Sequence, residues 1–223
     1  LEVGRLGLTR FILKTGGSLG DLYSSAELMR DQDGYIYVTS DGNVVKQNAK
    51  EDIKLGSVFP KANMAWRNDF SWKNLNFSFL ISARLGGIVY SATQATLDRY
   101  GVSEASANAR DNGGVLINGG DVISAQNWYT AIGGELGIPQ YYTYSATNVR
   151  LQEARIAYTF PRNKVWNVAD VTVSLVGRNL WMIYNKAPFD PEAVASTGNY
   201  YQGIDYFMMP STRNLGFNVL LKF

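Results

Sequence analysis

The clearest pattern in this chain is the alternation of apolar and polar residues over its last eleven positions. The apolar side chains recur at every second position, at Leu215, Phe217, Val219, Leu221 and Phe223. Polar residues or glycine occupy the positions between them, with Leu220 as the one exception. A period of two predicts a β-strand with one apolar face and one polar face.

A longer alternating stretch runs from Ala62 to Leu85 and predicts a β-hairpin. In its second half, the odd positions from Leu75 to Leu85 are all apolar, whereas the even positions are mostly polar. Lys73-Asn74 lies between the two halves and predicts a tight turn. Each strand then has about 11 residues and spans roughly 36 Å, against about five or six residues in most soluble proteins. Such strands can cross an apolar band about 25 Å tall.

A second hairpin is predicted from Ala154 to Trp181. Apolar residues alternate with others from Ala154 to Phe160 and again from Val171 to Leu175, and the short stretch 161–169 connects them. Before Ala154 the apolar residues change rows, which indicates either a β-bulge or the point at which the strand leaves a membrane. The pattern leaves both explanations open.

The connections between these strands alternate between short and long. The stretches 86–148 and 184–212 are long, whereas Lys73-Asn74 and 161–169 are short, and this asymmetry is typical of outer-membrane β-barrels with short periplasmic turns and long extracellular loops. We therefore interpret 61–223 as strands of a transmembrane barrel. We interpret 1–60 as an extracellular segment with small hairpins, because Asp33-Gly34 and Asp41-Gly42 are turn dipeptides. Within 86–148, serines predict the starts of three helices, at Ser91, Ser103 and Ser124.

Composition excludes several classes of function. The 223 residues carry 21 basic and 19 acidic side chains, a formal net charge of +2, so we expect no nucleic-acid partner. Histidine and cysteine are both absent, which removes the usual general base near neutral pH, thiol chemistry and the common transition-metal ligands. We therefore expect no enzyme, no metal and no cofactor. The sequence contains no run of 18 apolar residues, so it predicts no helix that spans a membrane.

Two sets of side chains are candidates for function. The polar rows carry charges that could line a barrel lumen and meet an internal plug, or could lie on an ordinary wet sheet face: Arg67, Asp69, Arg84, Arg155 and Arg178. The long connections and the stretches near them carry rings that could contact a ligand or a partner, or could pack loop against loop: Trp128, Tyr129, Tyr141, Tyr142, Tyr200 and Tyr201. Asp31-Gln32-Asp33-Gly34 is similar to the start of a calcium loop but lacks its later ligands, which favours a simple turn.

Several segments together resemble the SusC/RagA-like family of TonB-dependent outer-membrane transporters. The segments that carry the likeness are Asn148-Val149-Arg150-Leu151-Gln152-Glu153 with Ile156-Ala157-Tyr158-Thr159-Phe160-Pro161, then Gly177-Arg178-Asn179-Leu180, Phe189-Asp190-Pro191-Glu192 and the final strand. Gly20-Asp21, followed by Asp33-Gly34, resembles a further element of the family. The resemblance implies an all-β fold, namely an antiparallel 22-stranded barrel filled by an N-terminal plug, of which this chain is the C-terminal fragment.

The same resemblance implies a function and partners. It predicts import of a nutrient such as an oligosaccharide or peptide across the outer membrane of a Gram-negative bacterium. TonB would act through an N-terminal part that this chain lacks, and a SusD-like surface lipoprotein would cap the barrel in the outer-membrane lipid. A soluble or surface β-sandwich that binds glycans, or a passive porin, remains as the alternative.

Both ends of the chain carry expectations. The chain begins at Leu1, without a methionine or a signal peptide, so we expect a mature or clipped fragment. It ends on an aromatic residue in an alternating strand, as outer-membrane barrels do. The resemblance therefore implies that Phe223 belongs to the signal by which the barrel-assembly machinery recognises the protein.

Overall fold

The structure is a computed structural model that describes residues 1–165, 168–196, 198 and 201–223. The fold is all-β with a few short helices. The strands, in chain order, are β1 (Glu2–Leu6), β2 (Thr9–Ile12), β3 (Asp21–Leu28), β4 (Lys46–Ser57), β5 (Ala62–Trp72), β6 (Leu75–Leu85), β7 (Ile88–Ser91), β8 (Val115–Ile117), β9 (Asp121–Ile123), β10 (Thr143–Ser145), β11 (Asn148–Phe160), β12 (Asp170–Asn185), β13 (Ile204–Asp205) and β14 (Asn214–Lys222). The α-helices are α1 (Ala92–Arg99), α2 (Glu104–Asp111) and α3 (Ala125–Ile132), and single 3₁₀ turns cover Pro139–Tyr142 and Arg162–Lys164.

The chain divides into two compact units, which are described separately. The first unit comprises Leu1–Phe59, Gly87–Ser145 and Ala193–Met208. The second unit comprises Pro60–Gly86, Ala146–Glu192 and Met209–Phe223. The N-terminal segment thus forms one compact unit with much of the two long connections, and the long strands form the other.

The second unit is a five-stranded antiparallel sheet in the order β14-β12-β11-β6-β5. The predicted hairpin from Ala62 to Leu85 is confirmed, because β5 and β6 pair without a break from Ala62↔Leu85 to Trp72↔Leu75. The tight turn is also where the sequence predicts it, and Lys73 adopts a left-handed conformation there with φ of 53°.

The second predicted hairpin is confirmed, and its strands extend further than the apolar alternation does. The pairing of β11 with β12 begins at Asn148↔Asn185 and ends at Phe160↔Val171. Its register shifts between Val149 and Arg150 and again between Leu151 and Glu153. The pairing of β11 with β6 shifts only between Leu151 and Glu153. This bulge causes the change of row before Ala154, because it leaves Leu151 and Ala154 on the same face, opposite Ile81 and Phe79, although they are three positions apart.

The register aligns the apolar rows of all five strands on one face of the sheet. Phe70 of β5 lies opposite Phe77 of β6, and the residues paired with Phe77 across the following strands are Ile156, Leu175 and Phe217. One position further along each strand, the paired side chains point to the other face of the sheet and are small or polar: Ser71, Asn76, Ala157, Ser174 and Asn218. The five strands thus form one continuous surface with an apolar face and a polar face.

The first unit is built from short sheets and helices around its own core. Strands β1 to β4 form an antiparallel sheet in chain order, β7 lies between β10 and β13, and β8 pairs with β9. The core includes Phe11, Leu22, Tyr90, Ile138 and Ile204, all with at most 2% of their surface exposed. The predicted small hairpins are confirmed as isolated bridges, Arg30↔Ile36 and Val38↔Val44, which enclose the two Asp-Gly turns.

All three helices begin where the serines predict. The side-chain oxygens of Ser91, Ser103 and Ser124 each accept a hydrogen bond from the backbone N–H three residues later, which satisfies one of the free donors at each helix start. None of the helices within the described ranges is long and apolar enough to cross a membrane.

Candidate functional site

The charged residues predicted to line a lumen lie on the polar face of the five-stranded sheet, where most of them form local pairs. Arg67 Nε lies 3.1 Å from Asp69 Oδ2, and Arg178 Nε lies 3.1 Å from Glu153 Oε2. Arg155 donates to the Ser174 hydroxyl at 3.5 Å. Arg67 and Asp69 are more than half exposed, as is Arg178, so these pairs add little stability, typically about 0–1 kcal/mol each.

Small side chains separate these charges on the polar face. Ser78, Ala157 and Ser174 are buried, and Ser82 donates a hydrogen bond of 2.8 Å to Gln152. Arg84 is half-buried, lies opposite Asn148 in the register and interacts electrostatically with Glu192. The polar face therefore carries both positive and negative side chains, rather than charges of a single sign.

The strongest polar contacts of the second unit centre on Arg150, which sequence reasoning did not select as a site residue. Its side chain is only 4% exposed. Arg150 Nη2 lies 2.8 Å from Asp190 Oδ1 and 3.2 Å from Glu192 Oε2, and Nη1 donates to the Ser211 hydroxyl at 3.3 Å. We call Asn148, Arg150, Asp190, Glu192 and Ser211 the Arg150 cluster.

The Arg150 cluster ties strand β11 to both ends of the connection between β12 and β14. Asp190, near the start of that connection, accepts hydrogen bonds from the backbone N–H and the hydroxyl of Ser211 near its end. The amide of Asn148 completes the cluster with a contact of 3.3 Å to Glu192 Oε1. A buried guanidinium needs such partners, because an unpaired charge away from water is costly.

The cluster determines the titration of Asp190. Burial by itself would raise the pKa of this carboxyl. The hydrogen bonds from Ser211, the Glu192 backbone and Arg150, together with the positive charge of Arg150, outweigh burial and lower the pKa below its ordinary value of 3.8. Asp190 is therefore ionised at neutral pH, as the ion pair with Arg150 requires.

We expect acid to open the Arg150 cluster. Since the pKa of folded Asp190 is lowered, the cluster stabilises the protein fully above pH 3.8, and this stabilisation is lost as pH falls through the lower pKa of the folded state. Trp181 lines a cavity of about 300 Å³ beside Arg150 and Asp190, so its fluorescence can report the change as pH falls below 3.8. An Asp190→Asn variant should lack this transition, and an identical transition in that variant would contradict the assignment.

The predicted contact rings fall into two groups by burial. Trp128 is 8% exposed and Tyr142 is 2% exposed, and both belong to the core of the first unit. Burial and the nearby Asp98 carboxylate raise the pKa of the Tyr142 hydroxyl far above its ordinary range. These two rings pack inside the unit, because a buried ring has no free face for a partner. Trp128 and Tyr142 are therefore removed from the predicted contact surface.

The other predicted rings are more accessible. Tyr141 is 40% exposed, and its ring meets that of Trp128 edge to face with 5.5 Å between the ring centroids. Tyr129 is partly buried. Tyr201 is also 40% exposed, with one edge against Phe11 at 6.1 Å. Tyr200 lies outside the described residues. The accessible candidates in the first unit are therefore Tyr141 and Tyr201, with Tyr129 partly so.

Two further sequence features can be placed. Phe223 follows β14, an edge strand of the sheet, and is 80% exposed. Asp31 Oδ1 accepts the backbone N–H groups of Asp33 and Tyr35, each at 2.9 Å, which is the bonding of an Asx turn. No group of three or more carboxylate, histidine or cysteine side chains that could hold a metal occurs among the described residues.

No protein-family model matches the chain. Two curated proteins of Formosa agariphila are similar in sequence. TonB-dependent receptor P3 is 25% identical over 95% of this chain, and TonB-dependent receptor P26 is 26% identical over 85% of it. The matched parts are 23% and 19% of those proteins, so the chain spans about a quarter of the length of its relatives or less.

Solved structures show the same relationship at the level of the fold. The RagAB peptide importer in its "closed-closed" state matches 97% of this chain and 25% of the matched importer chain, with a TM-score of 0.57 and 17% identity. The "open-open" state of the same importer matches 92% of this chain with a TM-score of 0.57 and 14% identity. These relatives and neighbours are named as receptors and importers.

The sequence likeness to TonB-dependent receptors and the structural likeness to RagAB extend over nearly the whole chain. Within this chain, Arg150, Asp190 and Glu192, which belong to the segments that carry the family resemblance, meet in one cluster. The two likenesses together confirm that this chain resembles part of a SusC/RagA-like TonB-dependent transporter.

Proposed function

We propose that the five-stranded sheet is part of the wall of an outer-membrane β-barrel that imports a nutrient such as an oligosaccharide or a peptide in a TonB-dependent manner. A SusD-like surface lipoprotein is the proposed partner on the outside of the cell. The TonB-dependent receptors and the RagAB peptide importer support this proposal, the latter especially for a peptide substrate.

The observation that carries the proposal is the separation of apolar and polar side chains across five long paired strands. The apolar face exposes large rings and aliphatic side chains, for example Trp66 at 60%, Leu175 at 60% and Phe217 at 78%. A soluble protein rarely exposes an apolar surface of this extent. Lipid is the environment in which such a face is stable, and strands that alternate in this way are those of transmembrane barrels.

The edges of the sheet support a larger barrel. Among the described strands, β5 and β14 each have one sheet neighbour, so the outer edge of each carries backbone groups without a ladder partner. Such groups cost several kcal/mol each in lipid, which is why membrane sheets close into barrels. We propose that further strands of the whole protein close this sheet into the 22-stranded barrel of the family. The polar face, with Arg67, Arg84 and Arg178, would then meet the plug.

We further propose that residues 1–60, 86–148 and 184–212 lie outside the cell. Tyr129, Tyr141 and Tyr201, together with Tyr200, are the rings proposed to contact substrate or lipoprotein, because tyrosine offers a large rigid surface with a polar tip. The proposed role of Phe223 in recognition by the assembly machinery is separate from transport.

Uptake measurements test the proposal. In cells that carry the whole protein, labelled oligosaccharides and peptides are expected to enter only when TonB is present, and a deletion of the transporter should abolish the same uptake. Uptake that persists after TonB deletion would support a passive porin instead. Recovery of the whole protein in the soluble fraction rather than in the outer membrane would favour a glycan-binding β-sandwich.

A further inference from the structure

A recess of about 310 Å³ in the first unit has the chemistry of a binding site. Two turns form it, the stretch 31–38 and the turn between β8 and β9. Its lining includes the rings of Tyr35 and Tyr37 and the carboxylates of Asp31 and Asp121. None of these four side chains belongs to the core of the unit, so their placement is not explained by packing.

The frame of this recess is fixed by one amide. The Asn118 side chain donates to the Ile36 carbonyl at 3.0 Å and accepts from the Ile36 N–H at 2.8 Å, as a neighbouring strand would. Ile36 and Val38 pack against the core. Because side chains alternate along an extended stretch, Tyr35 and Tyr37 lie together on the other side, where they are 53% and 42% exposed.

The charge of the recess is negative. Asp31 uses only Oδ1 to hold its own turn, which leaves Oδ2 available, and Asp121 accepts one long contact of 3.3 Å from Asn118. Over the part of the chain that the structure describes, neither carboxylate forms an ion pair with a lysine or arginine. The neighbouring Arg30 donates instead to the Gly34 carbonyl at 2.7 Å.

We propose that this recess binds the ammonium or guanidinium group of a lysine or arginine side chain in a peptide. Carboxylates attract such a cation, and the faces of tyrosine rings attract it further because their π-electrons are negative. A neutral sugar could stack on the rings and donate its hydroxyls to the carboxylates, but only a cation also gains from the attraction between opposite charges. This inference rests on the proposed function, in which this unit is exposed outside the cell, and it specifies the substrate as a cationic peptide.

Binding measurements on the purified full-length transporter in detergent test this. The probes are a short peptide with one lysine, the same peptide with norleucine in place of lysine, and a neutral oligosaccharide. The Asp31→Asn/Asp121→Asn variant keeps the acceptor Oδ1 that holds the turn and loses both charges. We expect it to bind the lysine peptide about five- to tenfold more weakly at low salt. The difference should shrink at about 1 M salt, where the Debye length is about 3 Å.

The matched control is Asp41→Asn, which removes a charge from an exposed turn outside the recess and should leave binding unchanged. Equal affinity of the wild-type protein for the lysine and norleucine peptides would overturn the proposal. So would oligosaccharide binding that Tyr35→Ala weakens and the aspartate variant does not. TonB takes no part in this measurement, so the two proposals can fail separately. If the recess does not bind the lysine peptide, the proposal of TonB-dependent import is unaffected. If uptake does not depend on TonB, the binding result is unaffected.

Discussion

Replacing Phe79 with arginine is expected to destabilise the folded transporter by about 2–4 kcal/mol, the cost of a basic side chain near the middle of a lipid-facing strand. Phe79 lies near the middle of β6, on the apolar face, where its ring packs against those of Trp66 and Phe70. The measurement is the urea midpoint of the full-length protein folded in lipid vesicles.

The control for this prediction is the same substitution on the opposite face of the same strand. Asn76→Arg places the charge on the polar face at a half-buried position, opposite Ser71 and Ala157. Ser78 and Ser82 are less suitable, because Ser78 is only 3% exposed and Ser82 lies opposite Arg150. If Phe79→Arg were tolerated as well as Asn76→Arg, the apolar face would not meet lipid, and the proposed barrel wall would be wrong.

Replacing Arg150 with methionine is expected to destabilise the second unit by about 3–5 kcal/mol, because it leaves the buried Asp190 charge without its main partner. Methionine approximates the length of the arginine stem, so the loss concerns charge and hydrogen bonds more than volume. We expect the connection between β12 and β14 to become the first site of proteolytic cleavage, since both of its ends are held by the Arg150 cluster.

Arg178→Met is the matched control for this second prediction. Arg178 also pairs with a carboxylate at 3.1 Å, but its side chain is 67% exposed, so its loss should cost no more than about 1 kcal/mol. An Arg150→Met/Asp190→Asn double variant should recover part of the stability, because it removes the buried unpaired charge. Equal effects of Arg150→Met and Arg178→Met would show that the cluster contributes no more than a surface pair.

The amino-acid sequence by itself determines which side chains share a face in the strands that alternate, β5, β6 and β14. When apolar residues recur at every second position, the sequence shows which side chains share a face. This property is local, because it does not depend on which strands lie beside the one considered. For that reason the hairpin β5–β6 and the apolar row of β14 occur as predicted. The three helix starts are equally local, because each serine bonds to a backbone group only three residues away.

Strands β3 and β4 show what the local pattern does not contain. Strand β4 is mostly polar and β3 is buried over most of its length, so neither alternates between an apolar and a polar face. Each forms because it pairs with its neighbour from a distant part of the chain, as at Asp21↔Ser57. Tertiary contacts override local pattern in such strands.

The sites depend even more on tertiary structure. The bulge between Leu151 and Glu153 puts Arg150, which lies opposite Ser82, on the same face as Arg155, which lies opposite Ser78. The partners of Arg150, Asp190 and Ser211, follow 40 and 61 residues later. The burial of Trp128 and Tyr142 likewise depends on segments far away in the sequence. The sequence therefore determined the faces of β5, β6 and β14, because alternation is a local property. Only the tertiary structure decided which charges meet and which rings stay accessible, because those contacts join segments that no local pattern relates.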